Sequence, residues 1–265
     1  MNLGFSVPEL LPNARSGGRL KIGLRALDEG EWLQPGPDLD ARAAAFEAYP
    51  GSVMLTSEAE APGAELADML GVTGALPDAA RACHEDMCLL TRKPGEDIYR
   101  LIGAAVAYPT DWTVADKMGL PLAALHGPIH GYAEQLATGV DRFMAKLKSV
   151  PIYGRGNWFI VDDGELRHLP EDRERFAQVT PENAGETLFA RCERQTLRRL
   201  PDTGAILFTI GVYVQPLGAL PSSSVRWLSQ AAQAIPPGER ERRGIGAYLP
   251  ALIGYANMRE TEEVQ

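Results

Sequence analysis

The chain has 265 residues, 45% of them hydrophobic and 23% charged, which is ordinary globular usage and excludes global disorder. A chain this long buries enough surface to hold a core without a disulfide framework, and its three cysteines (Cys83, Cys88 and Cys192) are too few to build one. A net charge of −9 opposes any sequence-independent grip on nucleic acid or anionic lipid.

Residues 1–30 are broken by Pro8, Pro12 and the Gly17-Gly18 pair and read as an irregular opening segment without signal-peptide character. No apolar run reaches the ~20 residues of a membrane span, so a soluble, cytoplasmic protein is expected. DARAAAFEAYPG (40–51) predicts a helix capped by Asp40 and stopped by Pro50-Gly51, and GAELADMLGV (63–72) a second one. Ile98, Leu101, Ile102 and Val106 recur at helical spacing and predict a helix over 96–106. Tyr132, Leu136, Val140, Phe143 and Leu147 predict an amphipathic helix from Tyr132 to Lys148.

Further on, NWFIV (157–161) reads as a strand, with Asp162-Asp163-Gly164 as a turn before ELRHL. TLFARCERQTLRRL (187–200) is ambiguous by composition. Its neighbour GAILFTIGVYV (204–214) is plainly strand, and Pro201-Asp202-Thr203-Gly204 between them is a hairpin turn, so both are taken as strands. Helical character returns over 224–235 and 246–257. The order predicts an α+β fold with an antiparallel sheet, in one domain spanning 1–265.

Nucleotide and hydrolase signatures are absent: there is no Walker loop, G-x-S-x-G or H-E-x-x-H, and GRGNWF (154–159) leads into a strand rather than a helix. Cys83, His84 and Cys88 in RACHEDMC fit no common zinc spacing and read as a buried helix or strand edge. No C-x-x-C-H occurs, which excludes covalent c-type haem.

Two constellations remain. LHGPIHGY (125–132) carries His126 and His130 on a loop stiffened by Gly127, Pro128 and Gly131. Such imidazoles can ligate a metal or haem iron or move protons near neutral pH, or simply fill a helix-start turn. RCERQTLRRL (191–200) as a strand puts Cys192, Arg194, Thr196 and Arg198 on one face, and Arg191, Glu193, Gln195, Leu197 and Arg199 on the other. Its arginines suit carboxylates or phosphates, or a solvated edge of Glu–Arg pairs. Arg155, Asn157 and Trp158 can line a pocket, and Trp158 fits a core equally well.

LHGPIHGY, GNW (156–158), ERQTLRRLP (193–201) and FTI (208–210), in this order, resemble the haem-dependent oxidative N-demethylase alpha-subunit family. HEDM (84–87), PTDW (109–112) and DKMG (116–119) are similar to its segments too, so the resemblance covers roughly 80–215. It implies haem b on a PAS-like antiparallel sheet with flanking helices, O₂ as oxidant, and electrons from separate flavin and NADPH-using subunits of the flavin or iron–sulfur reductase type. His126 matches the histidine of the family's Ile-His-x-Pro-Val-Pro loop and is the expected iron ligand, whereas His130 replaces its second proline and adds a titratable group.

The resemblance therefore implies an oxidoreductase, a monooxygenase-like enzyme that demethylates a small methylated amine. Glu193 would hold the ammonium and His130 would donate protons. Arg194 and Arg198, with Arg155 as a weaker candidate, would hold the haem propionates, and Asn157 and Trp158 would line the cofactor. The second reading is a PAS-like haem sensor or carrier without turnover, which a chain lacking a fused output domain serves less well.

Overall fold

The computed structural model describes residues 3–11, 23–93, 95–96, 98–125, 137–169 and 175–264. Seven strands form one antiparallel sheet: β1 Arg25–Leu27, β2 Val53–Leu55, β3 Asp86–Thr91, β4 Arg100–Ala105, β5 Ile152–Val161, β6 Phe189–Arg199 and β7 Ile206–Pro216. Their order is β1-β5-β6-β7-β3-β4-β2, and helices flank the sheet, so the fold is α+β as expected. The Pro201–Gly204 turn joins β6 to β7 in a hairpin paired from Phe189↔Pro216 to Arg199↔Ile206.

Several local expectations are corrected. Within 96–106, Arg100–Ala105 is strand β4, not a helix; it lies between β3 and β2 with Leu101 and Ile102 both buried, so these need no helical period to be covered, and Ile98 lies outside it, exposed. The cap of the helix Leu39–Ala48 is Asp38, which accepts the Ala41 N–H at 3.2 Å, while Asp40 sits in the first turn. Residues 165–169 form no hairpin with β5, whose register is filled by β6; they run instead beside Thr110, where His168 makes an isolated bridge. The opening segment contains a helix, Val7–Leu10, and strand β1. The helix expected from Tyr132 is described over Ala137–Lys146, and Tyr132 and Leu136 lie outside the described residues.

The two faces of the sheet are covered differently. One face carries Gly154, Gly156 and Trp158 of β5, Cys192, Arg194, Thr196 and Arg198 of β6, and Leu207, Thr209, Gly211 and Tyr213 of β7. Residues 3–11 and 27–34 lie on it as a strap. The approach is so close that a Cβ on Gly156 would meet the Leu10 carbonyl oxygen at 3.1 Å, and one on Gly154 would lie 2.6 Å from Leu27 and 2.7 Å from Leu3. Helices Leu39–Ala48, Glu60–Met69 and Leu76–Arg81 continue the cover through Phe46, Leu66 and Leu76, packed in one core with Met87, Leu89 and Leu207.

The opposite face carries Tyr153, Arg155, Asn157 and Phe159, then Arg191, Glu193, Gln195 and Leu197, then Phe208 and Ile210. Helices Leu122–Leu125 and Ala137–Lys146 pack on one end of it through Leu125, Val140, Phe143 and Met144 against Tyr153, Leu197 and Phe208. In the middle of a seven-stranded sheet, Arg155, Asn157, Gln195, Leu197 and Phe208 nevertheless remain only half-buried. Among the described residues no helix is long and apolar enough to cross a membrane.

Candidate functional site

On this half-covered face the cross-strand register sets Asn157 opposite Glu193 and Arg155 opposite Gln195. Glu193 is 6% exposed, and its carboxylate accepts three bonds from neutral donors: Thr110 Oγ1 at 2.7 Å, Gln195 Nε2 at 2.8 Å and Asn157 Nδ2 at 3.3 Å. The direction of the first is fixed. Arg191 Nε donates to Thr110 Oγ1 at 2.7 Å, so the hydroxyl proton goes to Glu193. Arg243 holds Asn157 from behind, with one N–H reaching Oδ1 at 3.5 Å and another the Trp158 carbonyl at 3.1 Å. The result is a buried anion with fixed donors and no ion-pair partner within 4 Å among the described residues.

Arg155 is the opposite case. Its Nε is buried without a partner, and no described residue accepts a hydrogen bond from its guanidinium. Burial holds its pKa below the usual arginine range, Glu193 opposes that shift, and Arg243 adds to it. An unpaired, desolvated guanidinium is costly unless an anion joins it.

The other arginines of β6 are engaged by the protein itself. Arg191 donates to the carbonyls of Tyr108, Pro109, Glu165 and Leu166, fixing the loops beside Glu193. Arg199 bonds the carbonyls of Leu147, Met144 and Gly204. Arg194, on the strap face, donates to Leu3 O at 3.1 Å, Trp32 O at 2.8 Å and Glu31 O, and Arg198 pairs with Glu29 over the Trp32 ring. Arg194 and Arg198, the arginines expected to hold the propionates, are thus bonded within the protein and face away from Glu193. Trp158 also points to the strap face, partly buried against the cluster of Leu10, Leu188 and Cys192.

His126 and His130 lie outside the described residues. The remaining histidines are held internally. His168 donates from Nδ1 to Asp163 at 3.2 Å and accepts from Arg175 at 2.8 Å on Nε2, while His84 Nε2 meets the Val212 carbonyl at 3.0 Å. Burial lowers the His84 pKa. Cys83 and Cys88 sit in different clusters and share no site, and burial pushes the Cys83 thiol up to about 11. Asp162, Asp163 and His168 converge closely enough for a metal, but the Arg175 guanidinium already bonds both Asp162 and His168 there.

The model of the family described as haem-dependent oxidative N-demethylase, alpha subunit-like, matches residues 39–249. The chain belongs to this family. The family's description carries haem dependence, oxidative N-demethylation and, for an alpha subunit, the existence of partner subunits. The chain's own residues fit a haem on the Glu193 face. A porphyrin needs an apolar surface, and on this face Tyr153, Leu197 and Phe208 are apolar, half-buried and partly covered by helices Leu122–Leu125 and Ala137–Lys146. On the opposite face the strap lies close, with the Leu10 carbonyl oxygen 3.1 Å from a Cβ built on Gly156.

Sequence reasoning missed Thr110, Gln195 and Arg243. Gln195 was legible, since it stands two residues from Glu193 on the same strand face. Arg243 carries no local signal, because its contact with Asn157 spans 86 residues.

Proposed function

We propose that this chain is one haem-binding domain that uses haem b and O₂ to remove a methyl group from a small methylated amine held at Glu193. What carries the reading is the Glu193 carboxylate: buried, fixed by three neutral donors and facing the half-open side of the sheet, it can receive a cation without reorganising. His126 is the proposed iron ligand, supported by the internal engagement of His84 and His168. A PAS-like sheet sets its first and last core strands side by side in the middle, and the pairing of β3 with β7 supports that kinship.

When bound, the haem supplies the activation of O₂. The stoichiometry is R–NH–CH₃ + O₂ + 2 e⁻ + 2 H⁺ → R–NH₂ + HCHO + H₂O. The two electrons come from NADPH through a separate flavin or iron–sulfur reductase, for which the sequence holds no fingerprint of its own. Glu193 orients the ammonium so that an N-methyl carbon, not the nitrogen, faces the oxidant. Asn157 and Gln195 keep the carboxylate in register, and His130 is the proposed proton donor.

The test begins with the absorption spectrum of the purified protein. His126→Ala is expected to lose the Soret band, with His84→Ala and His168→Ala keeping it. A normal band in His126→Ala with a colourless His130→Ala would move the ligand to His130. Glu193→Gln is expected to keep the haem and lower kcat/KM for a methylated amine by about 10- to 100-fold.

A further inference from the structure

Among the described residues, the guanidinium of Arg155 has no anion in contact, and one register step away the Glu193 carboxylate has no cation in contact. Asn157 pairs with Glu193 and Arg155 with Gln195, so Arg155 and Glu193 are diagonal neighbours on the same face, with Cα atoms roughly 7–8 Å apart. They do not neutralise each other by contact: no ion pair joins them, and Thr110, Asn157 and Gln195 take three of the roughly four acceptor positions of Glu193, leaving one. Arg155 Nε is buried and unpartnered, and Arg243 stands on the same side with one edge turned to Asn157.

We propose that the substrate is a zwitterion, an N-methylated amino acid whose ammonium binds Glu193 and whose carboxylate binds Arg155. The inference rests on the demethylase reading above and names its substrate class. A haem propionate is the other source of a carboxylate. Placed against Arg155, it would bring a second negative charge beside Glu193, which has no cation within contact, whereas a zwitterion meets both charges with opposite ones. The planar fork of arginine suits bidentate capture of a carboxylate, and a fixed spacing of two opposite charges rejects amines that carry only one. A simple dialkylamine would leave the buried guanidinium unpaired in the complex, and that penalty is what gives discrimination.

The test is titration calorimetry on the haem-containing protein as purified, with three probes: N,N-dimethylglycine, its methyl ester and dimethylamine. N,N-dimethylglycine is expected to bind about ten-fold or more tighter than either of the others, as a charge-assisted pair implies. In Arg155→Met that preference is expected to collapse towards unity, and in Arg155→Lys to be recovered in part, with the Soret absorbance per chain unchanged in both. Far-ultraviolet circular dichroism establishes that each variant is folded, and Arg155→Lys retains the charge should Arg155→Met misfold.

Loss of the Soret band in Arg155→Met, with the substrate preference intact in Arg155→Lys, would assign the guanidinium to a propionate and overturn the proposal. Equal affinity for dimethylamine and N,N-dimethylglycine in the unaltered protein, with formaldehyde formed from both, would overturn it while the demethylase reading stands. No binding of any probe and no formaldehyde would overturn the amine site itself.

Discussion

Strand β6 serves two faces, and two of its buried charged residues, Arg194 on one and Glu193 on the other, are held in different ways. On the strap face, Arg194 is fully buried and each guanidinium nitrogen donates to a main-chain carbonyl of residues 3–32. On the other face, neutral donors alone hold Glu193, and Arg155 of the neighbouring strand has no acceptor among the described residues. Arginine content alone does not mark a ligand site. What separates Arg194 from Glu193 and Arg155 is the kind of partner: three carbonyls match Arg194, neutral donors alone hold Glu193, and nothing among the described residues accepts from Arg155 Nε.

That contrast can be broken from the strap side first. Arg194→Met leaves three main-chain carbonyls without their donor and is expected to cost about 3–5 kcal/mol in urea unfolding, the largest effect of the set. Gly154→Ala drives a methyl into Leu27 and Leu3, whose side-chain ends can shift, so a loss of about 1–3 kcal/mol is expected.

A smaller, pH-dependent effect is expected at Glu85, which sits beneath Gly211 and takes the Gln34 N–H while its other oxygen is unpartnered. Burial raises its pKa against the opposing pull of the Gln34 N–H and the arginines. The folded chain therefore holds this proton more tightly than the unfolded chain, and stability falls as pH rises from the ordinary carboxylate value through the folded one. Glu85→Gln is expected to raise Tm near pH 8, with the gain fading towards pH ~4. A gain that grows on acidification would mean that Glu85 is ionised and stabilising. The smallest change is expected at Arg155→Met, where no hydrogen bond is lost: within about 1 kcal/mol of the parent by the same urea measurement. A loss as large as that of Arg194→Met would erase the distinction between the faces.

The alternation that separates Glu193 from Arg194 and Arg198 was legible in RCERQTLRRL, as was the Pro201–Gly204 hairpin, because both depend on neighbours in sequence. A period of two already forbids one ligand from touching Glu193 and Arg194 together. What could not be read was who covers each face. The strap reaches Arg194 across 162 residues at Trp32, and nothing near Arg194 announces it. Strand β4 failed for a related reason: a segment buried on both sides loses the alternation that betrays a strand, and Ile98, Leu101, Ile102 and Val106 then imitate a helix. Strand β3 was obscured by Cys83, His84 and Cys88, which invite a metal reading although they belong to separate clusters.

The strap also sets a schedule for synthesis. Its Val7, Leu10, Leu11 and Trp32 leave the ribosome early, yet the donors that seat it sit on Arg194, 191 residues after Leu3. At about 5–20 residues per second, these apolar side chains wait on the order of 10–40 s before their site on β6 exists. Throughout that interval they are free to find other partners, which makes the nascent chain, rather than the finished protein, the species most exposed to aggregation and to chaperone capture.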